Sequence, residues 1–144
     1  MSGNQGGLEC ACALERAARG GGLSRLQAFH ITRSKIDTGG FQVIARALRT
    51  GGLAQVKSLY VNGNTGGDEG VCAIFDALTG CPELEVLNVY ENGISDATLS
   101  HMTSVVRAGM CECLRELVAV RNRQEISEAA VAAFIAAHPH IKLK

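Results

Sequence analysis

The sequence predicts an α/β fold made of about four strand–helix units stacked side by side, their strands joined in one parallel sheet. Two observations predict it. A skeleton of aliphatic residues recurs four times, starting at Leu26, Val56, Leu84 and Leu114, at nearly equal intervals. Within each copy the apolar period changes part-way from alternation, as in a half-buried strand, to the three-and-seven spacing of one helix face.

Taken in order, the elements begin with an N-terminal capping helix over 8–22, in "CACALERAARGGGL", with Ala11, Leu14 and Ala18 on its apolar side. The first repeat, 23–52, places Leu26, Phe29, Ile31, Ser34 and Ile36 on the skeleton and Phe41, Ile44 and Leu48 on the helix. The second, 53–81, uses Val56, Leu59, Val61, Asn64 and Gly66, then Val71, Ile74 and Leu78. The third, 82–111, uses Leu84, Leu87, Val89, Asn92 and Ile94, then Leu99, Met102 and Val106. The fourth, 112–138, uses Leu114, Leu117, Ala119 and Asn122. It resumes slightly late at Ile126, then Val131, Phe134 and His138. A terminal strand over 139–144 closes the array, with Lys142 and Lys144 set to discourage edge-to-edge pairing. The chain thus reads as one domain over 1–144.

Short acidic or hydroxyl residues stand before each helix: Asp37 with Thr38, Asp68, Ser95 with Asp96, and Ser127 with Glu128. They suit helix N-caps and the positive end of the helix dipole. "TGG" (Thr50–Gly52) and "TGCP" (Thr79–Pro82) suit helix ends. The asparagines Asn64, Asn92 and Asn122 have a structural role. After each strand the chain turns inward, and a buried amide can both donate to and accept from backbone groups that the next strand cannot reach.

The skeleton Leu-x-x-Leu-x-Leu-x-x-Asn-x-Ile, followed in each copy by a long helix, resembles the leucine-rich repeats of the ribonuclease-inhibitor type. The length of the copies and their helical second half distinguish the resemblance from the shorter repeat classes. It runs from about Leu23 to Leu143 and departs at Ser34, which stands where asparagine is usual, and at the insertion in the fourth copy. It implies a horseshoe segment of a solenoid, with the sheet on the concave face and the helices on the convex one. The bend has a simple cause, since strands are about 4.8 Å apart and helices about 10 Å across. Repeats of this type mostly bind proteins, and one branch activates a nuclear-transport GTPase.

Strand residues that alternate with the buried ones form outward columns. The first is Ala28, Ser58, Val86 and Glu116, and the second His30, Tyr60, Asn88 and Val118. The third is Thr32, Asn62, Tyr90 and Val120, with Arg33, Gly63, Glu91 and Arg121 beyond it. Both tyrosines of the chain fall here, and three valines face outward where nothing covers them. Tyrosine and arginine supply much of the energy at protein interfaces. The candidate partner-binding residues are therefore His30, Thr32, Arg33, Tyr60, Asn62, Val86, Asn88, Tyr90, Glu91, Val118, Val120 and Arg121.

Other chemistries find little support. Lys plus Arg and Asp plus Glu both number 14, so net charge offers no attraction to nucleic acid or an anionic membrane. No apolar run reaches the ~18 to 20 residues of a membrane span, and "MSGNQGGLEC" has no signal-peptide pattern. Six cysteines read as reduced thiols of an intracellular protein, cytoplasmic or nuclear. The pairs "CAC" (Cys10–Cys12) and "CEC" (Cys111–Cys113) flank different repeats, too far apart to share one zinc. Cys81, before Pro82, is expected to be the more exposed and reactive thiol. The glycine-rich "NGNTGGDEG" (Asn62–Gly70) lacks the lysine of a phosphate loop and reads as a turn. The four histidines form no catalytic constellation. No metal, cofactor or catalytic residue is expected, and the chain reads as no enzyme. A scaffold or adaptor holding a peptide or loop of a protein partner leads. A GTPase regulator of the leucine-rich-repeat type is the alternative, though it would call for an acidic stretch where this chain has "HIKLK". Another is a building block that self-associates through its end repeats.

Overall fold

The computed structural model describes residues 5–119 and 126–144. Asn122, Val120 and Arg121, to which the sequence assigns roles, lie outside the described residues. Helix α1 (Gln5–Arg19) leads into β1 (Ala28–His30), α2 (Thr38–Arg49), β2 (Ser58–Tyr60) and α3 (Gly67–Asp76). A short 3-10 turn over Leu78–Gly80 follows, then β3 (Val86–Asn88), α4 (Asp96–Arg107), β4 (Glu116–Val118), α5 (Glu128–Ala137) and β5 (Lys142–Leu143). The five strands form one parallel sheet in the order β1-β2-β3-β4-β5, and each helix packs on the next. The capping helix starts at Gln5 and ends at Arg19, earlier at both ends than its sequence boundaries.

Strand register follows the repeat spacing. Phe29 pairs with Leu59, Leu59 with Leu87, Leu87 with Leu117 and Leu117 with Leu143. Leu59, Leu87 and Leu117 are fully buried against the helices, where Ala11, Leu14 and Ala18, then Phe41, Ile44 and Leu48, then Val71, Ile74 and Leu78 complete one core. In α4 the third core position is Val105 and not Val106, which is only half-buried. A helical turn closes between the third residue and the fourth, so either neighbour of Met102 can face the core. In α4 the third residue takes that place.

The asparagines join successive turns. Asn64 Nδ2 donates to the carbonyls of Ile31 and Val61, both at 2.8 Å, and its Oδ1 accepts from the Ser34 and Ile36 amides at 3.0 and 3.1 Å. Asn92 Nδ2 donates to Val61 and Val89, and its Oδ1 accepts from the Gly66 amide at 3.4 Å. The Val61 carbonyl takes a bond from each side-chain amide, which links the two in series. Ser34, at the asparagine position of the first unit, bonds back to its own Thr32 carbonyl, and Asn64 serves that turn instead.

Asp37, Ser95 and Ser127 cap their helices, accepting from the Gly40, Ala97 and Ala130 amides respectively. Asp68 does not. Gly66 holds the N-cap position of α3 and makes no side-chain cap. The Asp68 carboxylate reaches across to the next unit instead, accepting from the Ser95 amide at 2.8 Å, the Ser95 hydroxyl at 2.7 Å and the Thr98 hydroxyl. Burial works to raise its pKa, but the bonds from Thr98 and Ser95 prevail and hold it below the usual carboxylate range. Asp96 repeats the device one unit on, accepting from the Ser127 hydroxyl and amide. These bonds lower its pKa as well. Hydroxyl and amide donors favour the charged carboxylate over the protonated one.

The glycines of "NGNTGGDEG" also acquire a reason. A Cβ at Gly66 would stand 2.8 Å from the Phe41 ring, and one at Gly70 2.9 Å from the Phe41 Cβ. The two glycines seat that ring and let α2 and α3 approach. In α1 two neighbouring glycines should respond in opposite ways to alanine. A Cβ at Gly6 meets nothing within 4 Å, so Gly6→Ala is expected to stabilise by about 0.5–1 kcal/mol through helix propensity. A Cβ at Gly7 would lie 2.6 Å from the Lys35 carbonyl oxygen, so Gly7→Ala is expected to cost about 1–3 kcal/mol. Urea unfolding of the two variants checks the pair.

Candidate functional site: the open face of the sheet

The side of each strand turned away from the core carries the columns that the sequence assigns to a partner. Ala28, Ser58, Val86 and Glu116 stand in one register, and His30, Tyr60, Asn88 and Val118 in the next. Each of the first four strands contributes one core-facing residue and two open-face ones. The fifth strand adds Lys142 beside Glu116. Lys144, just beyond it, reaches the Glu116 carboxylate at 2.7 Å. Both lysines therefore bear on the open face as well as on the edge, which the sequence reading did not anticipate. Their alternation with Leu143 carried the signal.

Among the assigned residues, His30, Thr32, Arg33 and Glu91 are exposed, while Tyr60, Asn62, Val86, Asn88, Tyr90 and Val118 are half-buried. His30 and Tyr60 stack with ring centroids 4.3 Å apart and planes 14° from parallel. Adjacent strands in register place two rings at about the separation that stacking needs. The result is an aromatic step across β1 and β2, followed in the same register by Asn88 and Val118, with Val86 in the adjacent column. Asn88 is not free for a partner in the same way, because its Oδ1 accepts from the Tyr90 amide at 3.0 Å.

Charged pairs stand at both ends of the strands. Arg33 reaches towards Glu91 at 3.9 Å, and Lys57 towards Glu85 at 3.7 Å. Arg33 and Glu91 belong to units two apart, and the Arg33 stem crosses over Gly63 between them, 2.6 Å from where a Cβ there would be. Arg33, Gly63 and Glu91 all take positive φ, at 50°, 71° and 54°. Glycine tolerates that conformation freely, whereas the two charged residues hold it at some cost in strain. Pairs this exposed contribute little to stability, so they set the face's charge pattern more than its rigidity.

Cys81 departs from its expectation. It is 1% exposed, its Sγ donates to the Leu53 carbonyl at 3.3 Å, and burial pushes its thiol up to about 12. Cys111 is buried too, with its thiol raised by burial to about 11. A proline just past a helical turn marks a chain reversal, which here turns the cysteine inward against the Leu53 carbonyl of the preceding unit. Cys10 is the exposed thiol among the six. Among the described residues no group of three or more His, Cys, Asp or Glu side chains is placed to hold a metal ion. No helix there is long and apolar enough to cross a membrane.

No family model and no curated protein matches the chain. Among solved structures it is similar to one described as leiomodin-1 actin-binding site 2, with a TM-score of 0.77. The two are 15% identical over 91% of this chain and 76% of that one. At that identity the likeness speaks for the fold: stacked strand–helix units with a parallel sheet.

Proposed function

We propose that the protein is a leucine-rich-repeat interaction module of the ribonuclease-inhibitor type, a short solenoid holding a peptide or loop of a protein partner on its concave sheet face. The observation that carries this reading is the stacked His30–Tyr60 pair on adjacent strands, on a face that also carries half-buried Val86 on β3 and Val118 on β4. An aromatic and aliphatic patch with charged groups beside it, Glu116 and Lys144 among them, suits an extended segment that combines apolar anchors with polar contacts. The narrow sheet favours a peptide or a single loop over a whole domain.

The similar leiomodin chain is described as an actin-binding site, which makes actin the first partner to test. Pelleting with filaments and native electrophoresis with monomers test it directly. The general reading is tested by affinity capture from cell extract, comparing the wild type with the Tyr60→Ser, Tyr90→Ser double variant. A protein held by the first and lost by the second supports the concave face. A protein held equally by both moves the site to the helices or an end. Both tyrosines are only half-buried, so the variant should fold, losing about 1 kcal/mol with the aromatic stack. A drop of many degrees in melting temperature would mean that the rings serve the fold and not a partner.

A further inference from the structure

We propose that His138 is an acid-sensitive latch on the last strand–helix unit: protonation of its imidazole releases α5 and β5 from the rest of the fold. This goes beyond the interaction reading and does not depend on it.

The last helix has a thin apolar anchor. Phe134 is the one residue of α5 that is fully buried, and the helix outside it is largely alanine. The seam between α4 and α5 is an unfilled groove of about 280 Å³, lined by Leu99, Thr103 and Arg107 on one side and Ala130 and Ala133 on the other. Small side chains on α5 leave that space open, so dispersion contacts across it are few. His138 closes the end of the seam. It caps α5, its amide donating to the Phe134 carbonyl, and its carbonyl accepts from the Ile141 amide at the entry to β5. The residue is 3% exposed, and its ring meets Phe134 edge-on at 5.2 Å.

The ring chemistry makes this contact conditional. One ring nitrogen is bonded to the Thr103 backbone of α4. The other, Nε2, is buried and has no partner among the described residues. A neutral imidazole leaves one uncharged acceptor unbonded there. The imidazolium would bury a charge and a second N–H with nothing to receive it. The charged and titratable groups facing the ring are Arg107 from α4 and His140 from the segment after α5, the latter 6.1 Å away. Neither supplies negative charge, and both oppose protonation. Burial, the largest effect, holds the pKa of His138 below its ordinary value, against the pull of the Thr103 bond.

A histidine whose folded pKa is depressed adds stability that is fully present above the unfolded pKa, about 6.5, and is lost as pH falls towards the folded value. Over that window the closed-to-open ratio of the unit falls by up to about tenfold per pH unit, the effect of one proton.

Hydrogen exchange of the whole chain at about pH 7.5 and 5.5, either side of the unfolded histidine value, tests this after correction for intrinsic rates. Peptides from Glu128 to Lys144 should lose protection at the lower pH, by up to about tenfold, while those in α2 and α3 keep theirs. His138→Phe, which keeps a ring against Phe134 but cannot titrate, should abolish the difference, and His140→Gln should leave it. Uniform loss across the chain, or loss that survives in His138→Phe, overturns the proposal. Should His138→Phe not fold, NMR titration of the wild type decides: His138 titrating at or above the midpoint of His140 overturns it, and a lower midpoint supports it.

Discussion

Asn64→Ala is expected to cost about 3–5 kcal/mol of unfolding free energy, read as a lower urea midpoint at an unchanged slope. The substitution leaves the Ser34 and Ile36 amides and the Ile31 carbonyl without their partner. Each buried orphan costs about 1–3 kcal/mol. The Val61 carbonyl is spared, because Asn92 also donates to it. Partial relaxation and water entry keep the total below the sum. Asp at the same position is a sharper probe. It restores the acceptor for both amides but cannot donate to Ile31, so Asn64→Asp should recover only part of the loss. A cost under about 1 kcal/mol for Asn64→Ala would show that water replaces the amide freely and that the turns are not tied through it.

A fold tied together in this way is only partly legible in one dimension. The Asn–aliphatic skeleton locates the strands and the core because burial demands a fixed residue type at a fixed interval, and a period is visible along the chain. The buried Leu59, Leu87 and Leu117, and the amides of Asn64 and Asn92, are of that kind. Side chains whose partner lies in the next unit are not. Asp68 looks like a cap, since an acid before a helix satisfies the same local rule whether it turns inward or sideways. Only the stacking brings Ser95 and Thr98 within its reach. Cys81 misleads for a similar reason, since its exposure depends on the depth at which the chain reverses. On the open face, alternation places His30 and Tyr60 in one register, but the stacking of their rings is a matter of rotamers that no periodicity encodes.

The distinction between local and cross-unit causes has a direct test at Gly80. As a helix stop, this glycine would be replaceable, and Gly80→Ala would be neutral or stabilising by about 0.4–1 kcal/mol through the unfolded chain. The fold assigns it another task. A Cβ at Gly80 would overlap the Leu48 carbonyl oxygen and stand 2.7 Å from the Leu48 carbonyl carbon, in the last turn of α2. Gly52, one unit earlier, stands in the same relation to Ala18 in the last turn of α1, again 2.7 Å from a carbonyl carbon. In both places the obstacle is helix backbone, which cannot rotate aside as a side chain can. The units must then separate, and the whole seam between them loosens. Gly80→Ala is therefore expected to destabilise by about 3 kcal/mol, at the upper end of the usual cost of overpacking. Gly52→Ala should behave alike. The sign alone decides: a loss at both positions makes these glycines the points where one unit's helix end seats against the next. A gain would return them to the role of simple stops and leave the repeat spacing set by the strands.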